Sequence, residues 1–230
     1  MENGGTPLTD AHCHVGRTGS VHRFVCAARR ADWTALDAVA VPDVAFYGIH
    51  PWYADEWDAA ALRGVLEAHP QAGVGEIGLD RLRDRTISDA QRRAFAEQLE
   101  LAAAFGRPVQ LHGAKCWGEV VKACQPHCGR IPAFLFHGFS RSEGLLPDIF
   151  ALNGFVSVGP ALLNDHAVNY RAMVKALPAD RILVESDAGA EGTDDVPDFA
   201  AVVAKLEEIR GESMAETLAG TAARFLESLR

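Results

Sequence analysis

A short apolar, β-prone run followed by a helix-like stretch recurs eight times along the 230-residue chain, and no other feature restricts its fold as much. The runs fall at about 7–12, 21–27, 44–49, 73–79, 108–112, 132–137, 154–158 and 181–186. They are nearly continuous in apolar residues rather than alternating, which is how strands covered on both faces read. Eight of them interleaved with helices is the strand count of a TIM (β/α)8 barrel, and the length suits one such barrel as a single domain over 1–230.

Between the runs, helix signals are specific. Ser88-x-x-Gln91 reads as a capping box that opens a helix with Phe95, Leu99, Ala102 and Phe105 on one stripe, stopped by Gly106 and Pro108. Ser213-x-x-Glu216 reads as a second box opening the last helix, and Pro178 ends the helix that carries Met173 and Leu177. One link is short. Only Val15 to Ser20 joins the first two runs, whereas a parallel crossover takes roughly a dozen residues. The expected barrel therefore lacks its first outer helix and has an extended loop there, the alternative being that 21–27 is not a barrel strand.

Six metal-capable side chains sit where these apolar runs end. His12 and His14 close the first, Glu76 lies in Gly73–Asp80, His112 ends 108–111, His137 ends 133–136, and Asp187 follows 182–186. Residues i and i+2 of a strand point the same way, so His12 and His14 can grip one ion with Asp187, next to them across the barrel seam. Glu76 can bridge to a second ion held by His112 and His137. Imidazole and carboxylate buried at so many strand ends would be costly without an ion to satisfy them. The pattern points to a hydrolase using two divalent ions, of which Mg²⁺, Mn²⁺ and Zn²⁺ all suit mixed nitrogen and oxygen donors.

Composition bounds the partners. Acidic residues number 31 against 22 Lys and Arg, a net charge of −9, so a broad nucleic-acid face is excluded and any phosphate contact needs a local basic patch. Arg81, Lys115 and Arg141, after the fourth to sixth runs, are the candidates for that patch, with Arg83 and Arg85 as solvated neighbours; His50 and Ser140 join them as substrate-binding candidates. Trp52, Trp57 and Trp117 could stack on a base. Five cysteines and no secretory leader suggest reduced thiols and a cytoplasmic location, with Cys116, Cys124, His127 and Cys128 as an alternative structural zinc set. No apolar stretch nears the ~18–20 residues that cross a bilayer, so no membrane is expected, and no protein partner is indicated.

The segments Asp10–His14, Gly48–Tyr53, Gly75–Asp80, Gln98–Ala102, Gly106–His112, His137–Ser140 and Glu185–Ala188 appear in an order that resembles the TatD family of metal-dependent hydrolases over almost the whole chain. The resemblance implies a TIM barrel, two divalent ions, and hydrolysis of phosphodiesters, commonly as a DNase of 3′–5′ exonuclease character on DNA ends. It assigns His12, His14, Glu76, His112, His137 and Asp187 as ligands, with Asp187 also taking the proton of the attacking water. The chain departs from the family pattern in a short first connection and in an acidic stretch after Asp187 (Gly189 to Asp195) where a Pro and a basic residue are usual. It also has Ala222 where an Asn is expected, and Arg141 where a Gly is common. The acidic stretch favours an alternative, an amidohydrolase or phosphotriesterase-like enzyme acting on a small molecule.

Overall fold

The computed structural model describes residues 8–15, 21–140, 143–189 and 199–229. Eight parallel strands, β1 (Thr9–His14), β2 (His22–Cys26), β3 (Val44–Tyr47), β4 (Gly73–Asp80), β5 (Val109–Ala114), β6 (Phe134–Phe136), β7 (Gly154–Val158) and β8 (Ile182–Val184), close into a barrel in chain order. The seam is the pairing of Asp10 on β1 with Val184 on β8. Around the barrel lie α1 (Trp33–Leu36), α2 (Ala59–Ala68), α3 (Asp89–Phe105), α4 (Trp117–Cys124), α5 (Leu146–Ala151), α6 (Val168–Ala176), α7 (Phe199–Arg210) and α8 (Ala215–Leu226). Every expected run forms a strand. The β1–β2 connection, 15–21, is too short for a helical crossover, and its residues 16–20 lie outside the described ones.

The side-chain period of two separates an inside from an outside. Val25, Val109, Leu111, Phe134, Phe136, Ile182 and Val184 face the helices in the larger core cluster. Phe24, Phe46, Leu135, Phe155 and Leu183 form a second, inner cluster, closed by Phe225 of α8, whose ring lies 5.6 Å from those of Phe24 and Phe155. Gly73 makes room for this layer, since a Cβ there would sit 2.2 Å from the Phe46 ring. Further toward the carboxyl ends of the strands the interior turns polar, with buried Gln110, Ser157 and Glu185. An apolar plug at the amino-terminal ends thus supports a polar layer beneath the mouth.

Local signals hold in part. Ser88 caps α3 by accepting from the Gln91 backbone, and Gly106 ends it in the left-handed region at φ 61°. The Gln91 side chain is not used in a box; it accepts from the Asp80 backbone at 3.0 Å and pins the end of β4. The second box does not form. Met214 is the N-cap of α8, and its N–H goes to Glu207 of α7 at 2.8 Å, while the Ser213 hydroxyl also donates to Glu207. A carboxylate brought over by the preceding helix outcompetes the local cap. Among the described residues no helix is long and apolar enough to cross a membrane.

Candidate metal centre

At the carboxyl ends of the strands, Glu76 stands at the middle of four imidazoles. One carboxylate oxygen, Oε1, lies 2.8 Å from His112 Nδ1 and 2.7 Å from His137 Nε2. The other, Oε2, lies 3.5 Å from His14 Nε2 and 3.6 Å from His12 Nε2. Asp187 Oδ1 is 3.7 Å from both His12 Nε2 and His14 Nε2. All six donors expected from the strand ends therefore converge. Glu76 is 2% exposed and His12 fully buried, while the Asp187 side chain is 36% exposed, which leaves Asp187 the most solvent-accessible of these carboxylates.

Hydrogen bonds on the far side of each ring set what its near nitrogen can do. His12 Nδ1 meets Gln110 Oε1 at 2.7 Å; an amide oxygen only accepts, so the hydrogen is on Nδ1 and the Nε2 lone pair faces the centre. His112 Nε2 donates to Asp80 Oδ2 at 3.0 Å, which turns Nδ1 inward. His137 has Nδ1 3.6 Å from Glu185, whose other oxygen accepts from the Ser157 hydroxyl. His50 is built the opposite way. The Trp52 N–H donates to its Nδ1 at 3.2 Å, so the hydrogen sits on Nε2, 3.8 Å from Glu76 Oε1. His50 thus offers the centre a donor, not a lone pair.

Protonation follows from this packing. Burial, the largest influence on His14, holds it down at about 4, and burial likewise holds His50 well below its usual range; both are neutral at pH 7. Burial also presses on His137 and His112, but Glu76 with Glu185, and Asp80 with Glu76, outweigh it and raise both rings. For Glu76 burial favours the neutral acid, yet the charge of His137 and the bond with His112 hold it well below the usual carboxylate range. Burial raises Asp187. Asp187 also adopts φ 52°, a region uncommon outside glycine, which occurs where a site imposes its own backbone. Asp10, pushed up to about 6 by burial, accepts from the Ser186 backbone and hydroxyl at 2.9 and 2.6 Å and ties the segment before Asp187 across the seam.

The donor set fits divalent metal. Three groups of ligand atoms lie within 4.8 Å of one another among the described residues, His12–His14–Asp187, His12–Glu76–His137 and His50–Glu76–His112. The orphaned, fully buried His12 Nε2 is what an ion would satisfy. In the third group only Glu76 and His112 present lone pairs, for the reason given for His50. The cysteine set does not assemble: Cys116 donates to Leu79 O, Cys128 to Ala151 O, and no metal-holding group among the described residues includes them.

The remaining candidates line two cavities that meet at His112, His137 and Asp187. The smaller, 320 Å³, takes in His50, Trp52, Tyr53 and Arg29; the larger, 920 Å³, takes in Arg81, Lys115, Ser140 and Trp117. The Arg81 guanidinium is bonded to Glu119, and Arg83 lies 4.9 Å over the Trp52 ring. Trp57 turns away to Glu97, and Arg141 lies outside the described residues. Gln110, Asp80 and Glu185 were not singled out as site residues by sequence. Gln110 and Glu185 stand two residues before His112 and Asp187, a strand-period signal that would have found them.

A family model described as TatD-related DNase matches residues 17–228. A protein of Edwardsiella piscicida named 3′-5′ ssDNA/RNA exonuclease TatD is 32% identical over 157 residues, covering 66% of this chain and 60% of that protein. A protein of the same name from Pectobacterium carotovorum subsp. carotovorum is 32% identical over 167 residues, covering 70% and 64%. The chain thus spans less than two thirds of these relatives. Among solved structures, a TatD homologue from Escherichia coli K12 superposes with a TM-score of 0.80 at 26% identity, covering 96% of this chain and 97% of that one.

Proposed function

The chain belongs to the TatD family of DNases, and on that premise we propose that it hydrolyses phosphodiester bonds with two divalent ions, removing nucleotides from the 3′ ends of single-stranded DNA or RNA. The reading rests on Glu76, whose two carboxylate oxygens each face a different pair of imidazoles, as a ligand shared by two ions must. His12, His14 and Asp187 would hold one ion and His112 and His137 the other; Mg²⁺, Mn²⁺ and Zn²⁺ all suit these donors. When bound, the ions supply Lewis-acid polarisation of the phosphoryl group and acidify the attacking water.

The chain's own groups do the rest. Asp187, the accessible carboxylate, accepts the proton of the attacking water, a role that its raised basicity suits. His50 donates Nε2–H to a non-bridging phosphate oxygen, in a pocket where desolvation keeps it neutral. Lys115 and Ser140, with Arg81, orient the strand and supply the local cationic patch that the net charge of −9 otherwise denies. Five free cysteines, four of them buried, suit the reducing cytoplasm, where we place the enzyme. The test is cleavage of an end-labelled single-stranded oligonucleotide with Mg²⁺ or Mn²⁺. Asp187→Ala and Glu76→Ala are expected to lower the rate by about 10³-fold or more while the far-ultraviolet spectrum is unchanged. Full activity in either variant would contradict the assignment.

A further inference from the structure

We propose that the two cavities divide the substrate, so that the single terminal nucleoside is held in the smaller one, on Trp52 and Tyr53, and the rest of the strand runs out through the larger one past Lys115 and Ser140. The proposal rests on the phosphodiester reading above and adds which side of the scissile bond lies where. Three observations carry it. First, the cavities join at His112, His137 and Asp187, so a bond held at the centre has one flank in each. Second, they are unequal. The smaller, 320 Å³, is at the lower edge of ordinary small-ligand cavities, roughly 300 Å³, and holds one unit; the larger, 920 Å³, is near the upper edge of roughly 1,000 Å³. The longer part of a strand has room in the larger cavity and not in the smaller.

Third, the smaller cavity is chemically a nucleoside site. Trp52 and Tyr53 supply aromatic faces, with Arg83 4.9 Å over the first ring and Arg29 4.7 Å over the second. The indole N–H of Trp52 is shielded from solvent and has no hydrogen-bond partner, a polar group left unsatisfied in the wall of this cavity. His50, which joins Trp52 through its backbone bond, lies on the same wall with its N–H toward the centre. The larger cavity carries Lys115 and Ser140 and the amide of Asn164, polar groups suited to a sugar–phosphate backbone.

The test compares three single-stranded oligonucleotides with the metal-loaded wild type: unmodified, with a fluorescein-bearing thymine at the 3′-terminal position, and with the same group one position inward. Expected products from the first are single nucleotides. The terminal label is expected to slow the first cleavage by at least about tenfold, and the inward label to leave it within about twofold, because only the terminal base must enter the smaller cavity. Trp52→Ala is expected to raise KM for the unmodified strand about tenfold, one lost stacking contact, with kcat changed less. Equal tolerance of the two labels, dinucleotide or longer products, or an unaltered KM in Trp52→Ala would each overturn the division. Absence of cleavage in all three substrates at every metal would instead defeat the phosphodiester reading itself, and the division with it.

Discussion

For a histidine in a metal centre, the hydrogen bond behind the ring matters as much as the lone pair in front. Asp80 fixes His112 by taking the Nε2 hydrogen, and Asp80→Asn is expected to weaken divalent-ion binding about 10- to 100-fold, since an amide nitrogen facing Nε2 drives the hydrogen onto Nδ1. Calorimetric titration of metal-stripped protein reads this directly; unchanged affinity would mean that the ring is held by something else. The six proposed ligands were legible because His and Asp or Glu are rare at the ends of apolar runs. Asp80 was not, because a carboxylate next to the charged stretch Arg81, Arg83 and Arg85 looks like a solvated loop group until its partner is known. Far from the centre, burial pushes His127 below its ordinary value of about 6.5, against the opposing pull of Glu100 3.9 Å from Nδ1, which has no hydrogen-bond partner. A ring with a depressed folded pKa contributes stability above about pH 6.5 that is lost as pH falls through the lower, folded value. His127→Gln is therefore expected to flatten the fall in unfolding free energy below pH 6.5, measured by denaturant titration across pH; an unaltered slope would contradict it.

At the scale of elements, the barrel wall leaves little space where β4 carries Glu76 past β5. Gly78 has φ 152°, and a Cβ on it would lie 2.0 Å from the His112 carbonyl oxygen. Gly78→Ala is expected to cost upwards of about 2 kcal/mol and to displace His112. Gly64→Ala, exposed in α2 with nothing within 4 Å of the new Cβ, is the opposite case and is expected to stabilise by about 0.5–1 kcal/mol. Thermal or chemical denaturation of the pair checks both signs. Strands were read well because burial on both faces writes itself into composition. The start of α8 was misread because its cap comes from Glu207, a residue on another helix, and no local pattern records such competition.

The whole molecule sets a strongly acidic surface against a site proposed for a polyanion. A charge of −9 is compatible with that only if contact is confined to strand ends drawn into a cleft, and the unequal cavities at the mouth supply such a cleft. The barrel itself was foreseeable from eight runs and their spacing. The cavities were not, since their volumes depend on how loops from different strands fold over the mouth. The most direct test of the metal centre is calorimetric titration of metal-stripped protein with Mn²⁺, for wild type and Glu76→Ala. Two equivalents bound by the wild type, and loss of at least one in the variant, is the result expected from a carboxylate shared between two ions. Stoichiometric binding that Glu76→Ala leaves intact, or no binding by the wild type, would contradict it.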